Sequence, residues 1–289
     1  MTVSNARFTT LISADELAAI IDQAVVFDCR HELTDHAAGR RAYEEGHIPS
    51  ARFLDMESEL SGPKTGRNGR HPFPDRASLL ALLAAHGVSD DTQIVAYDGH
   101  GGAIAGRLWA LARWVGHRHV AVLDGDLRAW RKAGFPVTTE LPPPARPGRL
   151  SADRPALITL LGADELLARL GDRQNTQVVD ARAAERFTGA VEPIDPVGGH
   201  IPGALNRPFS GNLRPDGRYK PAEVLRDEFQ ALLAGRPPES FVHQCGSGVT
   251  ACHNLLAMEH AGLKGSRLYP GSWSEWGSDA SRPIATGDA

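Results

Sequence analysis

The residues best suited to chemistry lie in the stretch His243-Gln244-Cys245-Gly246-Ser247-Gly248-Val249-Thr250-Ala251-Cys252. An apolar run of β type, Ser240-Phe241-Val242, leads up to Cys245. A helical pattern begins at Ala251 and continues through Cys252-His253-Asn254-Leu255-Leu256-Ala257-Met258. The layout is therefore strand, tight loop, helix. Two glycines let the backbone curl so that successive N–H groups face inward. The helix N-terminus adds partial positive charge at the same place. A cysteine at the mouth of such a cradle is expected to be partly thiolate at neutral pH, so the loop reads as a holder for a sulfur anion.

The rest of the chain bounds what that sulfur can do. The chain has 289 residues, enough for one large domain or two ordinary ones. Net charge is −4 and the basic residues are scattered, which favours neither nucleic acid nor an anionic membrane surface. No apolar run is long enough to span a bilayer. The opening Met1-Thr2-Val3-Ser4-Asn5-Ala6-Arg7 lacks the basic-then-apolar layout of an export signal. Three cysteines do not make a disulfide framework, so a reducing cytoplasm is the expected setting. Cys252, one turn into the helix, reads as a core residue rather than a resolving thiol, and Cys29 as filler at a strand end. No histidine and cysteine group has zinc spacing, and no metal or cofactor is implied.

The elements that must position Cys245 occur twice. Ser13 with Glu16 forms a capping box for an N-terminal helix, and a comparable capped helix is expected around Thr159–Leu166. Val25-Val26-Phe27-Asp28-Cys29-Arg30 matches Gln177-Val178-Val179-Asp180-Ala181-Arg182. Gly46-His47-Ile48-Pro49 matches Gly199-His200-Ile201-Pro202 at a nearly equal distance from the preceding aspartate. Gln93–Gly99 parallels Ser240–Gly246, and Val120–Trp130 parallels Ser266–Trp276. Such an ordered set implies a duplicated α/β unit. The expected domains are 1–140 and 151–289, joined by a stiff proline-rich linker at 141–150. Short apolar strands alternating with helices predict, in each, a mainly parallel sheet with helices on both faces and sites at the strands' carboxyl ends. Cys245 stands at one such end, and Asp98 holds the same slot in the first half. Residues shared by both halves (His47, His200, Asp28, Arg30, Asp180, Arg182) are expected to be structural.

The paired Asp-x-Arg and Gly-His-Ile-Pro boxes, the loop Cys245–Thr250 and the closing Gly271-Ser272-Trp273-Ser274-Glu275-Trp276 resemble the two-domain rhodanese sulfurtransferases. The resemblance runs from about residue 10 to about residue 280. It implies an inactive first domain and a catalytic Cys245 in the second. It also implies sulfur transfer from 3-mercaptopyruvate or thiosulfate through a Cys245 persulfide. The N–H groups of Gly246, Ser247, Gly248, Val249 and Thr250 would steady thiolate and persulfide. The acceptor would be cyanide or a thiol, such as thioredoxin or a low-molecular-weight thiol, and the kinetics ping-pong.

The resemblance divides on the donor. The loop Cys-Gly-Ser-Gly-Val-Thr is similar to that of the mercaptopyruvate enzymes, whereas the thiosulfate enzymes usually carry basic residues where Gly246 and Ser247 stand. By position, Ser247, His71 and Glu57 (or nearby Asp55) match a serine, histidine and carboxylate arrangement proposed for the mercaptopyruvate group. His71 lies in the first-domain stretch Gly69-Arg70-His71-Pro72-Phe73-Pro74, which makes this a cross-domain site. Arg186 matches the family arginine that holds the donor anion. The segment Val191–Gly199 lacks the second arginine of the mercaptopyruvate enzymes and looks more like the thiosulfate group.

Two readings from other classes compete. A cysteine phosphatase or arsenate reductase also cradles an anion, but a tyrosine-phosphatase loop needs an arginine six residues after the cysteine, where this chain has Ala251. A non-catalytic sulfur-binding module is the other, since Asp98 shows the first half without a nucleophile. The intact second loop argues against it.

Overall fold

The structure is a computed structural model and describes residues 7–288. Met1–Ala6, most of the stretch read for an export signal, lie outside the described residues. The first half runs β1 (Leu11–Ile12), α1 (Ala14–Ile20), β2 (Ala24–Asp28), α2 (Ala38–Glu45), β3 (Arg52–Phe53), α3 (Arg76–Ala85), β4 (Gln93–Tyr97), α4 (Ala105–Trp114), β5 (Val120–Leu123) and α5 (Asp126–Lys132). The second repeats the order with β6 (Thr159–Leu160), α6 (Ala163–Arg169), β7 (Gln177–Asp180), α7 (Ala184–Phe187), β8 (Leu205–Asn206), α8 (Ala222–Leu233), β9 (Phe241–Gln244), α9 (Thr250–His260), β10 (Arg267–Leu268) and α10 (Ser272–Trp276).

Each half forms a five-stranded sheet, in the orders β1-β5-β4-β2-β3 and β6-β10-β9-β7-β8, and every paired strand is parallel. Parallel strands need crossover helices, and those helices cover the sheet. All residues of β4 and β9 are accordingly buried. In the first half Val95, Tyr97, Ala121 and Leu123 pack with Leu17, Leu127 and Trp130. In the second, Val178 and Val242 pack with Leu166, Trp273 and Trp276.

The repeated boxes are packing devices. Arg30 donates to both carboxylate oxygens of Asp28 and, through Nη2, to Gly46 O at 2.8 Å. Arg182 does the same with Asp180 and Gly199 O at 2.6 Å, and its guanidinium lies over the Trp273 ring. Each Asp-x-Arg strand end thus holds the Gly-His-Ile-Pro turn of its own half. His47 stacks on Tyr43, and His200 on Phe187, with ring centroids 3.9 Å apart in both.

Two local expectations, the paired helix caps and the linker, need correction or completion. The capping box at Ser13 and Glu16 forms. Its counterpart does not: Thr159 lies in β6, and α6 starts behind Gly162, which has no side-chain oxygen to cap it. The linker segment is irregular but not loose, because Gly148 N–H donates to Ala84 O and Arg52 Nη2 to Pro143 O, both within the first half. The tail is held as well: Ala285 exchanges backbone bonds with His200.

By contacts the chain forms two compact units. The first holds the described residues up to Glu59 together with Asp75–Leu157, and the second Leu60–Pro74 together with the described residues from Ile158. The stretch containing His71, read from sequence as first-domain, therefore belongs with the second unit. The reason is local bonding: Arg70 N–H donates to Ser274 Oγ at 3.0 Å, and the Arg70 guanidinium pairs with Asp195.

Candidate active site

Cys245 follows the last residue of β9 and is buried, with 2% of its surface exposed. Its N–H donates to Ser272 Oγ at 3.1 Å, and that hydroxyl donates to Tyr269 O. Trp273 N–H donates to Cys245 O at 2.9 Å and Ser274 N–H to Gly246 O at 2.8 Å. The start of α10 therefore clips the loop from one side. Ser272 takes a left-handed φ of 55° there, a strained conformation for a non-glycine residue. Gly248, at φ 76°, passes so close to Pro270 that a β-carbon would lie 2.1 Å from its carbonyl oxygen; only glycine fits.

The loop's own amides are the central observation. The N–H groups of Gly246, Ser247, Val249 and Thr250 bond to none of the described residues. Buried backbone donors are nearly always paired, so a run of free ones directly after a cysteine marks an anion site. The eleven-residue helix α9 starts at the same point and adds its positive end.

Around the loop the second unit gathers polar groups from three segments. His71 Nδ1 and Ser247 Oγ, both buried, are 2.8 Å apart. Arg186, at the end of α7, donates from Nε and Nη2 to Glu192 and from Nη2 to Asp195 at 3.0 Å. Burial pushes the Glu192 carboxyl up, but the Arg186 bond and the amides of Asp195 and Ile194 outweigh it and hold it below its usual range. Asp195 goes the other way: burial raises it more than Arg70 and Arg186 lower it, and Glu192 adds repulsion. Glu57 belongs to the first unit, where its Oε1 lies 3.8 Å from His31 Nε2. Burial lowers the His31 imidazole, with Glu57 opposing.

Sequence reasoning passed over Arg70, Asp195 and Ser272. Arg70 had a signal, since it directly precedes His71 in a stretch already singled out. Nothing in the sequence could place Ser272 under Cys245, because that contact depends on how β9 and β10 pair.

The equivalent loop of the first unit is built differently. Leu127 N–H donates to Asp98 O, as Trp273 does to Cys245, which fixes the correspondence. The fully buried Asp98 carboxylate accepts from the N–H groups of His100, Gly102, Ile104 and Ala105 at 2.8–3.0 Å. The first cradle thus holds an anion of its own.

Tandem parallel sheets, with an anion cradle behind a cysteine in one and behind an aspartate in the other, define a pair of related α/β units of which one offers a nucleophile. The rhodanese-like domain matches residues 13–133 and again 162–279, and the chain belongs to that family. A Pseudomonas aeruginosa protein named "Probable 3-mercaptopyruvate sulfurtransferase" is 49% identical over 96% of this chain and 98% of its own length. The Bos taurus thiosulfate sulfurtransferase is 36% identical over 82% of this chain and 79% of its own. Among solved structures, the 3-mercaptopyruvate sulfurtransferase from Leishmania major aligns with a TM-score of 0.81 at 29% identity, covering 96% of this chain and 76% of that one.

Proposed function

We propose that this chain is a sulfurtransferase that carries a sulfane sulfur on Cys245, and that 3-mercaptopyruvate is its preferred donor. The Cys245 thiolate attacks the donor sulfur. A bond forms between the two sulfurs, the donor C–S bond breaks, and its electron pair leaves on pyruvate as an enolate that must take up a proton. The free amides after Cys245 stabilise the thiolate before the step and the persulfide after it. An acceptor thiol, thioredoxin-like or small, or cyanide then takes the outer sulfur and restores the thiolate. The chemistry separates into two half-reactions.

The observation that carries the donor choice is the 2.8 Å contact between Ser247 and His71 in the loop that starts at Cys245. A hydroxyl backed by an imidazole can bond the donor carbonyl and relay the proton an enolate needs. Sulfite leaving from thiosulfate is already a stable anion and needs no such relay. Glu57 is assigned the supporting carboxylate of this arrangement and Arg186 the donor anion. The domain division at 141–150 and the inactive role of the first domain belong to the same reading. So does a reducing, cytoplasmic setting: the three cysteines are free. No helix among the described residues is long and apolar enough to cross a membrane.

The test is parallel kinetics with 3-mercaptopyruvate and thiosulfate, read beside the mass of the intact protein. A gain of about 32 Da, removed by cyanide, is expected with either donor, and the larger kcat/KM with 3-mercaptopyruvate. No gain with either donor sinks the sulfurtransferase reading. A large preference for thiosulfate sinks the donor choice alone.

A further inference from the structure

We infer that Cys252 is a positioning residue for Cys245: its thiol holds the Gly248–Val249 peptide so that the Val249 N–H faces the reacting sulfur. The inference deepens the sulfurtransferase reading above and rests on it. It starts from the peptide unit itself. That unit is planar and trans, so its C=O and its N–H point in opposite directions. Whatever grips the carbonyl from one side aims the hydrogen to the other.

Each of the four open amides after Cys245 belongs to a peptide whose carbonyl is gripped. The Gly246 N–H shares its peptide with Cys245 O, which accepts from Trp273 N–H at 2.9 Å. The Ser247 N–H shares its peptide with Gly246 O, which accepts from Ser274 N–H at 2.8 Å. The Val249 N–H is paired in the same way with Gly248 O, and that oxygen accepts from Cys252 Sγ at 3.3 Å. The Thr250 N–H is paired with Val249 O, which accepts from Cys252 N–H at 3.0 Å. The first two tethers come from the start of α10, and the other two from one residue of α9. The cradle is thus aimed from outside, by bonds to its carbonyls. The first unit needs no such device, because the Asp98 carboxylate draws its amides from within.

Three of the tethers are main-chain donors and survive any ordinary substitution. The Cys252 thiol is a side chain, and it acts where the helix does not. Gly248 lies before the first residue of α9, at a left-handed φ of 76°. Side chains inside a helix often bond the carbonyl four residues back, where they compete with the helix's own ladder. Here that carbonyl belongs to the loop, so the same bond sets the direction of an amide the reaction uses. Cys252 is fully buried, which keeps water from competing for the bond.

The experiment compares wild type with Cys252→Ala, Cys252→Val and Cys252→Ser. One readout is the pH dependence of Cys245 labelling by iodoacetamide, with the label located by fragment mass spectrometry. The other is single-turnover persulfide formation from 3-mercaptopyruvate and from thiosulfate. A cradle with one amide turned away makes the thiolate harder to form. In Cys252→Ala and Cys252→Val the labelling curve should therefore move to higher pH by roughly 0.5–1 unit. Below the midpoint of that curve, persulfide formation should slow by roughly 2–5-fold with both donors, since the thiolate attacks in either case. Cys252→Ser keeps a donor in place and should restore both readouts. A Cys252→Ala curve within about 0.2 unit of wild type overturns the inference, as does a Cys252→Ser curve no closer to wild type than alanine. A lowered urea midpoint with an unmoved labelling curve also overturns it, because packing alone would give that result. If Cys252→Ala does not fold, Cys252→Val carries the comparison. If neither folds, Cys252→Ser decides, and a curve displaced to higher pH in that variant overturns the inference. If wild type gains no sulfur from either donor, the sulfurtransferase reading fails; if wild type reacts and Cys252→Ala behaves like it, only the positioning role fails.

Discussion

The loops after β4 and β9 occupy the same place in two copies of one fold, and they solve the same electrostatic problem in opposite ways. A strand end, a curled backbone and a helix start leave several N–H groups pointing at one spot. After β4 the chain fills that spot itself, with a carboxylate that takes four of those hydrogens. After β9 it supplies a thiol and leaves four amides open. The first arrangement serves stability, since the carboxylate satisfies donors that would otherwise be stranded. The second leaves its donors unsatisfied. The left-handed residue beside it, Ser272, is no part of the difference, since Asp126 takes the same φ in the first unit. The difference teaches that cradle and chemistry are separable: the cradle wants an anion, and the residue at its mouth decides whether that anion can react.

Exchanging the mouth residues tests this most severely. Cys245→Ser should abolish both the mass gain and thiocyanate release. Adding Asp98→Cys to that variant should restore neither, because the first unit's loop is longer by two residues before its helix and has no counterpart of the Ser247–His71 pair among the described residues. Any persulfide on the thiol introduced at position 98, seen by peptide mass spectrometry of the double variant, would show the two cradles to be interchangeable.

A smaller effect is expected inside the working loop. Ser247→Ala should lower kcat on 3-mercaptopyruvate by roughly 100-fold, the low end for general acid–base help, and leave thiosulfate within about 3-fold. Equal losses on both donors would make Ser247 a packing residue.

On the stability side, Asp98→Ala strands the amides of His100, Gly102, Ile104 and Ala105. A loss of roughly 2–4 kcal/mol is expected in urea unfolding, with Cys245 persulfide formation intact. A change below about 0.5 kcal/mol would mean that the carboxylate is not what holds the first loop.

The smallest effect separates the strands themselves. Two residues before the mouth, β4 carries Ala96 and β9 carries His243, which is fully buried with its Nδ1 unpartnered. Burial lowers its pKa from 6.5 to about 3. Folded protein keeps this imidazole neutral while the unfolded chain protonates it, so between those two values the unfolded state binds more protons. Stability therefore falls as pH falls through that window, by up to about 1.4 kcal/mol per pH unit. The urea midpoint of wild type should drop more between pH 6.5 and 5 than that of His243→Leu; parallel curves would mean that His243 is protonated in the fold.

Much of this was legible in the sequence because duplication repeats its own evidence. The Asp-x-Arg and Gly-His-Ile-Pro boxes gave the strand ends and turns in both halves, and the small, curled residues after Cys245 gave the cradle. The capped start of α6 was misread, since sequence similarity to α1 does not carry over the one hydroxyl that a cap needs. The polar cluster beside the loop was half legible: the motif singles out Arg186, whereas Arg70 and Asp195 meet only after the chain has folded back over more than a hundred residues. His71 was found, but its unit was not, because contiguity in sequence is a poor guide when a segment flanked on both sides by one unit packs within the other.

That borrowed loop bears on how the protein can be taken apart. A recombinant fragment beginning at Ser151 contains the nucleophile and its helix, yet it omits residues 60–74 and with them His71 and Arg70. The half that looks self-sufficient on paper is missing a piece of its own interior, so duplication at the level of sequence does not yield modules that can be cut apart and used singly.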